Sequence, residues 1–246
     1  MKNIPFLFNS FAKRKHFIDV CFHFYGKYFS DRNFYLTIDD KNFHIDESLN
    51  INILHYDTIQ STSEHHFQCL SRYYRQLNSL NYLKSIGYVY VTSCMDDGWI
   101  DGDKINWDSY GKCLTYLQEY NVDRIDLCGP QPRYNLIKIK NDLNMVDSNN
   151  DLPWYLTNQC SIWKIDSLLT IYKILGPVSD CDVERQGSEI SRRLQYKFLT
   201  FDNQILGNDG VFQRTVGFNH TGIKLLKEYC YTKNLDYNEE IKKFGI

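Results

Sequence analysis

Up to about residue 130 the chain alternates between two periodicities. Short apolar runs of β-forming residues are each followed by a longer stretch whose apolar residues recur every three or four positions. Ile4 to Phe8 (IPFLF) reads as a first strand, and residues 16–29 then set Phe17, Cys21, Phe24 and Tyr28 on one helical face. Asn33 to Ile38 and Ile51 to Tyr56 read as two further strands. Ser61 and Glu64 form a capping box for a long helix, whose stripe is Phe67, Leu70, Tyr74 and Leu77 and whose stop is Gly87. A strand beginning at Tyr88 follows, then a helix marked by Trp107, Tyr110, Leu114 and Leu117. Next comes a strand from Arg124 to Cys128, halted at Gly129-Pro130. Strand–helix alternation of this kind builds an α/β domain with a doubly wound sheet.

Beyond residue 130 the pattern loosens. Gln131 to Asn158 is polar and irregular and is expected to be a long loop. A short strand then leads into a helix with Ile165, Leu168, Leu169 and Tyr172 on its apolar face, ended by Gly176-Pro177. The segment SDCDVERQGSEISRR is highly charged, and a small helix is expected near Thr221 to Tyr231. No internal repeat and no linker divides the chain. At 246 residues it suits one large domain with a substantial core.

Composition narrows the function classes. A net charge of −2 argues against a generally basic nucleic-acid binder, although it leaves room for a local basic groove. Eight scattered cysteines without a CxxC read as reduced thiols of an intracellular protein. No apolar run approaches the roughly 20 residues of a membrane span, and the N-terminus does not make a convincing signal peptide. A cytoplasmic location is therefore expected. Aromatic residues reach 15%, a richness that base composition of the gene explains as well as function does.

The chemistry concentrates in YVYVTSCMDDGWIDG, residues 88–102. A strand there delivers two adjacent carboxylates, Asp96 and Asp97, to its own carboxyl end, where ligands of open α/β sheets bind. Like charges this close need a positive neighbour: a metal ion, an arginine, or water in their place. Mg²⁺ or Mn²⁺ takes one or two carboxylates and fills its shell with phosphate oxygens, which suits a nucleotide diphosphate. Gly98 permits a close backbone approach and Trp99 is placed to cover the ligand. Asp-Asp-Gly is equally good chemistry for an exposed turn.

Three segments carry a family resemblance: the first strand ending in Asn9-Ser10, the acidic segment just quoted, and QCSIWKIDSLL followed by DVERQGSE. Together they span about residues 4–193, and their order resembles the GT-A-type nucleotide-sugar glycosyltransferases, particularly small viral and bacterial sugar transferases. The resemblance implies a single GT-A-like (Rossmann-like) α/β domain over residues 1–246, with a mixed, mostly parallel central sheet flanked by helices. Residues 1–130 would form a nucleotide-binding half and residues 131–246 an acceptor-side half.

It also implies roles for residues. Asp97 becomes the chief metal ligand, with Asp96 toward the ribose or a second metal position, and His220 a late ligand from the C-terminal region. Asn9 and Ser10 open the nucleotide pocket, Asp39 meets the base or ribose, and Arg14, between Lys13 and Lys15, attracts the diphosphate. Gln159 and Trp163 flank the pocket. Glu184 is the candidate general base, with Asp182 as its substitute. Each has a plainer alternative: a cap or turn for Asp39, core for Trp163, a solvated charge run for Arg14, a surface ion pair for Glu184.

The expected activity is metal-dependent transfer of a sugar from a nucleotide-diphosphate donor, UDP-sugar by preference, to a hydroxyl on a glycan, with Mn²⁺ or Mg²⁺ as cofactor. The same chemistry on a hydroxymethylated DNA base is an alternative acceptor choice. A non-catalytic glycan- or nucleotide-binding module and a nucleotidyltransferase are alternatives of other kinds. GxGxxG, GxxxxGK[ST], HExxH and GxSxG are all missing.

Overall fold

Seven strands of the central sheet run one way and deliver their carboxyl ends to a common rim. The computed structural model describes residues 4–45, 50–56, 64–131, 134–148, 155–156, 158–207, 212–213 and 217–245, the side chains of 64–71, 180–181 and 212–213 excepted. In chain order the elements are β1 (Phe6–Asn9), α1 (Lys15–Tyr28), β2 (Phe34–Ile38), β3 (Ile51–His55), α2 (Glu64–Ser85), β4 (Tyr90–Cys94) and α3 (Trp107–Glu119). They continue with β5 (Arg124–Asp126), β6 (Leu136–Lys138), β7 (Leu143–Val146), β8 (Ser161–Lys164), α4 (Ile165–Leu175) and α5 (Asp180–Arg193). The last are β9 (Phe198–Phe201), β10 (Phe212–Gln213), β11 (Gly217–Phe218), α6 (His220–Lys233) and α7 (Tyr237–Lys242).

The sheet order is β3-β2-β1-β4-β8-β5-β9-β7-β6, with β10 and β11 forming a separate pair. β2, β1 and β4 are parallel neighbours, as are β5 and β9. β8 runs against both β4 and β5, and β7 runs against β9 and β6. The expected mixed, mostly parallel sheet is present. β8, from the later part of the chain, inserts between β4 and β5, so one sheet joins both parts.

Alternation along β1 shows how the core divides. Phe6 and Phe8 face one side, where α1 covers them; Leu7 faces the other, and Asn9 bonds to α2 there. Phe8 meets Phe22 and Tyr25 at 4.7 and 4.8 Å between ring centres, and Phe6 meets Phe29 at 5.1 Å. Burial of such a ring stabilises by about 1.5–3 kcal/mol, and favourable ring geometry adds about 0.5–1.5 kcal/mol. Much of the aromatic richness is therefore structural.

Four points are added to the sequence reading, three of them corrections of expectations and one, the second, an element where none was expected. Residues 131–158 are not one loop, because β6 and β7 form a hairpin that β7 docks onto β9. Strands this short are held by their neighbours' ladder more than by their own pattern. The charged segment at 179–193 is helix α5, whose buried face is Val183, Gly187, Ser188 and Ser191. Small and hydroxylated residues fill that face, since a Cβ on Gly187 would stand 3.1 Å from Leu156 Cδ1. Ser188 and Ser191 satisfy their hydroxyls on backbone carbonyls of their own helix. A search for large apolar residues passes over such a face.

The third point concerns α2. Tyr74 is 41% exposed, and the inward residues are Arg75, Gln76, Ser79, Leu80 and Leu83. At mid-helix Arg75 and Gln76 turn polar groups toward the end of β1, while Tyr74 faces outward. The Ser61–Glu64 capping box, Phe67 and Leu70 lie outside the described residues and side chains. Among the described residues six cysteines are free and buried, and no helix is long and apolar enough to cross a membrane.

The fourth is Trp99. Its side chain covers no ligand site; it is fully buried between Phe17, Phe218 and Phe244, at 6.2, 5.2 and 5.8 Å between ring centres. Its indole N–H donates to the Asp96 carbonyl at 3.2 Å. The segments carrying Phe218 and Phe244 thus hold the turn after β4 in place. Trp99→Ala removes a large buried ring and one hydrogen bond, and should lower unfolding free energy by about 3–5 kcal/mol in urea titrations.

Candidate functional site

β4 reaches the rim at Cys94, and the chain turns there, with Gly98 N–H bonded to the Met95 carbonyl at 3.2 Å. The turn points Asp96 inward, where its side chain is 5% exposed, and leaves Asp97 at 21%. The positive neighbour that the pair requires is Arg14. Its Nη2 lies 3.1 Å from Asp96 Oδ1 and 3.2 Å from Asp97 Oδ2. Ser10 Oγ donates a short hydrogen bond to the other Asp96 oxygen. The guanidinium stacks over the Phe17 ring at 4.5 Å, within the range of a cation–π contact.

Burial pushes the Asp96 carboxyl up to about 6, with Asp97 adding to the rise while Arg14 and the Ser10 hydroxyl oppose it. A carboxyl raised in this way favours its protonated form in the fold. The charged form therefore costs stability above pH 6, and the cost fades as pH falls toward the ordinary carboxylate value.

Beside the acidic pair, the end of β1 meets the middle of α2 in a polar network. Asn9 Oδ1 accepts from Thr37 Oγ1 at 3.0 Å and from Arg75 Nε at 3.2 Å, while Asn9 Nδ2 donates to Gln76 Oε1 at 3.1 Å. Arg75 is 1% exposed and lies over the Phe11 ring at 4.3 Å. Its Nη1 is 3.9 Å from Asp39 Oδ2, too far for a hydrogen bond, and among the described residues neither Nη1 nor Nη2 has a hydrogen-bond partner. Burial brings its pKa down to about 10, against the pull of Asp39, so the group stays charged at neutral pH. Buried guanidinium donors without acceptors are costly, and native interiors rarely keep them without a use. Asp39 Oδ1 accepts from the Ala12 N–H at 2.7 Å, which is the turn-capping role open to it.

The other anticipated residues gather elsewhere on the rim or away from it. Gln159 and Trp163 line a small cavity of about 20 Å³ together with Ser93, Asn158 and Tyr172. Trp163 belongs mainly to the core, 3% exposed and edge-on to Phe198 at 5.3 Å. Glu184 Oε1 accepts from the Asn158 N–H at 2.8 Å, which brings α5 against the segment entering β8. Ser93, on β4 just ahead of Asp96, lines that same cavity and connects the two groups. Asp182 instead serves the start of α5: it accepts from Ser179 Oγ at 2.7 Å and pairs with Arg185 at 2.9 Å. Those contacts hold its carboxyl below the usual range, the Ser179 bond foremost.

His220 opens α6 and is exposed. Among the described residues no three His, Cys, Asp or Glu side chains come together, so Asp96 and Asp97 meet without it. Arg75, Gln76 and Arg72, whose charge reaches Asp96, were missed by sequence reasoning. Their signal is the RYYRQ spacing, which puts Arg72, Arg75 and Gln76 on one helical face. A separate groove of about 500 Å³ opens at the amino ends of β1 and β4, between Ile4, Ile86, Tyr88, Val89 and Leu114, and none of its described lining residues is charged.

No protein-family model and no curated protein matches this sequence. Solved structures with a similar chain path include a cytidylyltransferase from Leptospira borgpetersenii, at 10% identity and a TM-score of 0.47, covering 98% of this chain and 93% of that one. CMP:2-keto-3-deoxy-manno-octonic acid synthetase, solved in complex with CTP, matches at 8% identity and 0.45, covering 94% and 99%. A Desulfovibrio desulfuricans protein assigned as a nucleotide-diphospho-sugar transferase matches at 12% identity and 0.47, covering 99% of each chain. Likeness at this level is too distant to carry an activity across.

The raised Asp96 carboxyl sets a pH dependence for any cation held there. The carboxyl must lose its proton first, so affinity for Mn²⁺ should be flat above pH 6 and fall about tenfold per unit well below it. Mn²⁺ titrations between pH 5 and 8 check this (a flat profile to pH 5 would contradict it).

Proposed function

We propose that this protein transfers a sugar from a nucleotide-diphosphate donor, UDP-sugar by preference, to a hydroxyl acceptor on a glycan. The observation that carries the reading is the acidic pair: one nitrogen atom lies within 3.2 Å of an oxygen from each carboxylate. A single cation can therefore touch both, at the strand ends where α/β sheets bind ligands. Two carboxylate oxygens with phosphate oxygens and water make a suitable shell for Mn²⁺ or Mg²⁺, and Asp96 and Asp97 would hold it. Such an ion, when bound, neutralises charge developing on the departing diphosphate.

The protein's own groups account for the remainder of the reaction. Arg75, Asn9 and Asp39 surround unmet donors fit for the acceptor edge of a base or for a ribose hydroxyl. Phe11 supplies an apolar surface beneath that guanidinium. Glu184, bonded to the Asn158 N–H beside Gln159, is the carboxylate on the acceptor side. As the acceptor oxygen attacks the anomeric carbon, its proton passes to this carboxylate. The bond from the anomeric carbon to the diphosphate oxygen breaks, and the electron pair leaves with the nucleotide.

A thermal-shift series with UDP, with and without Mn²⁺, tests the reading. Stabilisation by UDP should depend on Mn²⁺ and be lost in Asp97→Asn. Stabilisation indifferent to both would leave a nucleotide-binding module, and no response to any nucleotide sugar would end the nucleotide reading. Arg75→Met separates ligand binding from folding. Replacing an under-satisfied buried cation by an apolar side chain of similar length should change stability by less than about 1.5 kcal/mol. UDP affinity should fall at least about tenfold, because hydrogen bonds from a charged donor are worth about 1.5–3 kcal/mol.

A further inference from the structure

Arg14 occupies the position that a cation shared by Asp96 and Asp97 must take. Its Nη2 is nearly equidistant from the two carboxylates, at 3.1 and 3.2 Å. A divalent ion bound to the same oxygens would stand against a guanidinium of like sign, with low-dielectric walls around both. The two cannot share the site, so cation entry has to expel the guanidinium.

The surroundings favour such an exchange over a permanent ion pair. The Arg14 side chain is 25% exposed while that of Asp96 is 5%, so the guanidinium reaches in from solvent toward a fixed acid. It hangs from a short turn, Ala12–Arg14, immediately after β1, and leans on the Phe17 ring. Once displaced it remains beside the rim where a diphosphate would lie, and a guanidinium binds phosphate oxygens in a two-pronged fork.

We propose that Arg14 is an internal counter-ion that competes with the divalent cation for Asp96 and Asp97 and is handed to the diphosphate of the donor when the cation binds. This rests on the reading of the acidic pair as a cation site. It deepens that reading by making the occupancies of cation and donor mutually dependent. The cation alone binds weakly, because it must break two ion pairs. With a diphosphate present, the released guanidinium gains a new partner, and each ligand tightens the other by the same factor.

The test is a Mn²⁺ titration of the full chain, read by electron paramagnetic resonance of free Mn²⁺, with and without UDP. The unaltered protein should bind Mn²⁺ weakly alone and more tightly with UDP. Arg14→Gln should bind Mn²⁺ alone about tenfold more tightly, from the loss of two partly exposed ion pairs, and should gain much less from UDP. Arg14→Lys keeps a competing charge and should fall between the two. It carries the same comparison should Arg14→Gln fail to fold in circular dichroism melts. Equal or weaker Mn²⁺ binding by both variants without UDP, alongside UDP-enhanced binding in the unaltered protein, overturns the competition and leaves the cation site standing. Absence of Mn²⁺ binding by the unaltered protein under both conditions overturns the cation site and this inference together.

Discussion

Two carboxylates at the end of a buried strand have to be compensated, and the neighbourhood of β4 is arranged around that need. Arg14 supplies the charge, Ser10 a hydrogen bond, and the Trp99 indole fixes the backbone from which Asp96 projects. The helpers and their supports come from separate parts of the chain. The turn after β1 brings Ser10 and Arg14, while α1 and the segments holding Phe218 and Phe244 pack around Trp99. Burial outweighs the opposing pull of Arg14 and the Ser10 hydroxyl, so the Asp96 carboxyl is shifted toward its neutral form.

The parallel sheet makes this convergence possible. β1, β2 and β4 are neighbours that point the same way, so Asn9-Ser10, Asp39 and Asp96-Asp97 arrive at one rim although they are far apart in sequence. β8 enters the same rim from the opposite direction and brings Gln159 alongside Ser93 and Asn158. The amino-end rim offers a larger groove, but none of its described lining residues is charged. Volume and chemistry therefore separate to opposite ends of the sheet, and the chemistry follows the strand ends.

Legibility in the sequence followed the kind of residue that does the packing. Where large apolar residues mark the inward face, as in β1, α1 and α4, periodicity located the element to within a residue or two at most ends. Where the inward face is small or polar, it missed the element, as in α5, or misplaced the inward residues, as in α2. α5 packs through Gly187, Ser188 and Ser191 beside Val183, and α2 turns Arg75, Gln76 and Ser79 inward ahead of Leu80 and Leu83, so a search for large apolar residues passes over those small and polar positions. The hairpin of β6 and β7 was invisible for a third reason, since its strands depend on β9 for their ladder.

Asn9, Ser10, Arg14 and Asp39 entered as candidates through the family resemblance, whereas by itself the sequence determined the α/β class and the delivery of Asp96-Asp97 to a strand end. Those follow from local pattern, because a strand's polarity and its last residues are readable without knowing its neighbours. Only the tertiary structure decided which cation sits between the aspartates, that Trp99 is core, that His220 stands apart, and that Arg75 is buried with unmet donors. Those depend on how β1, β4 and α2 are set side by side. Partnership between charges is a matter of a few ångströms across elements that the order of residues does not specify.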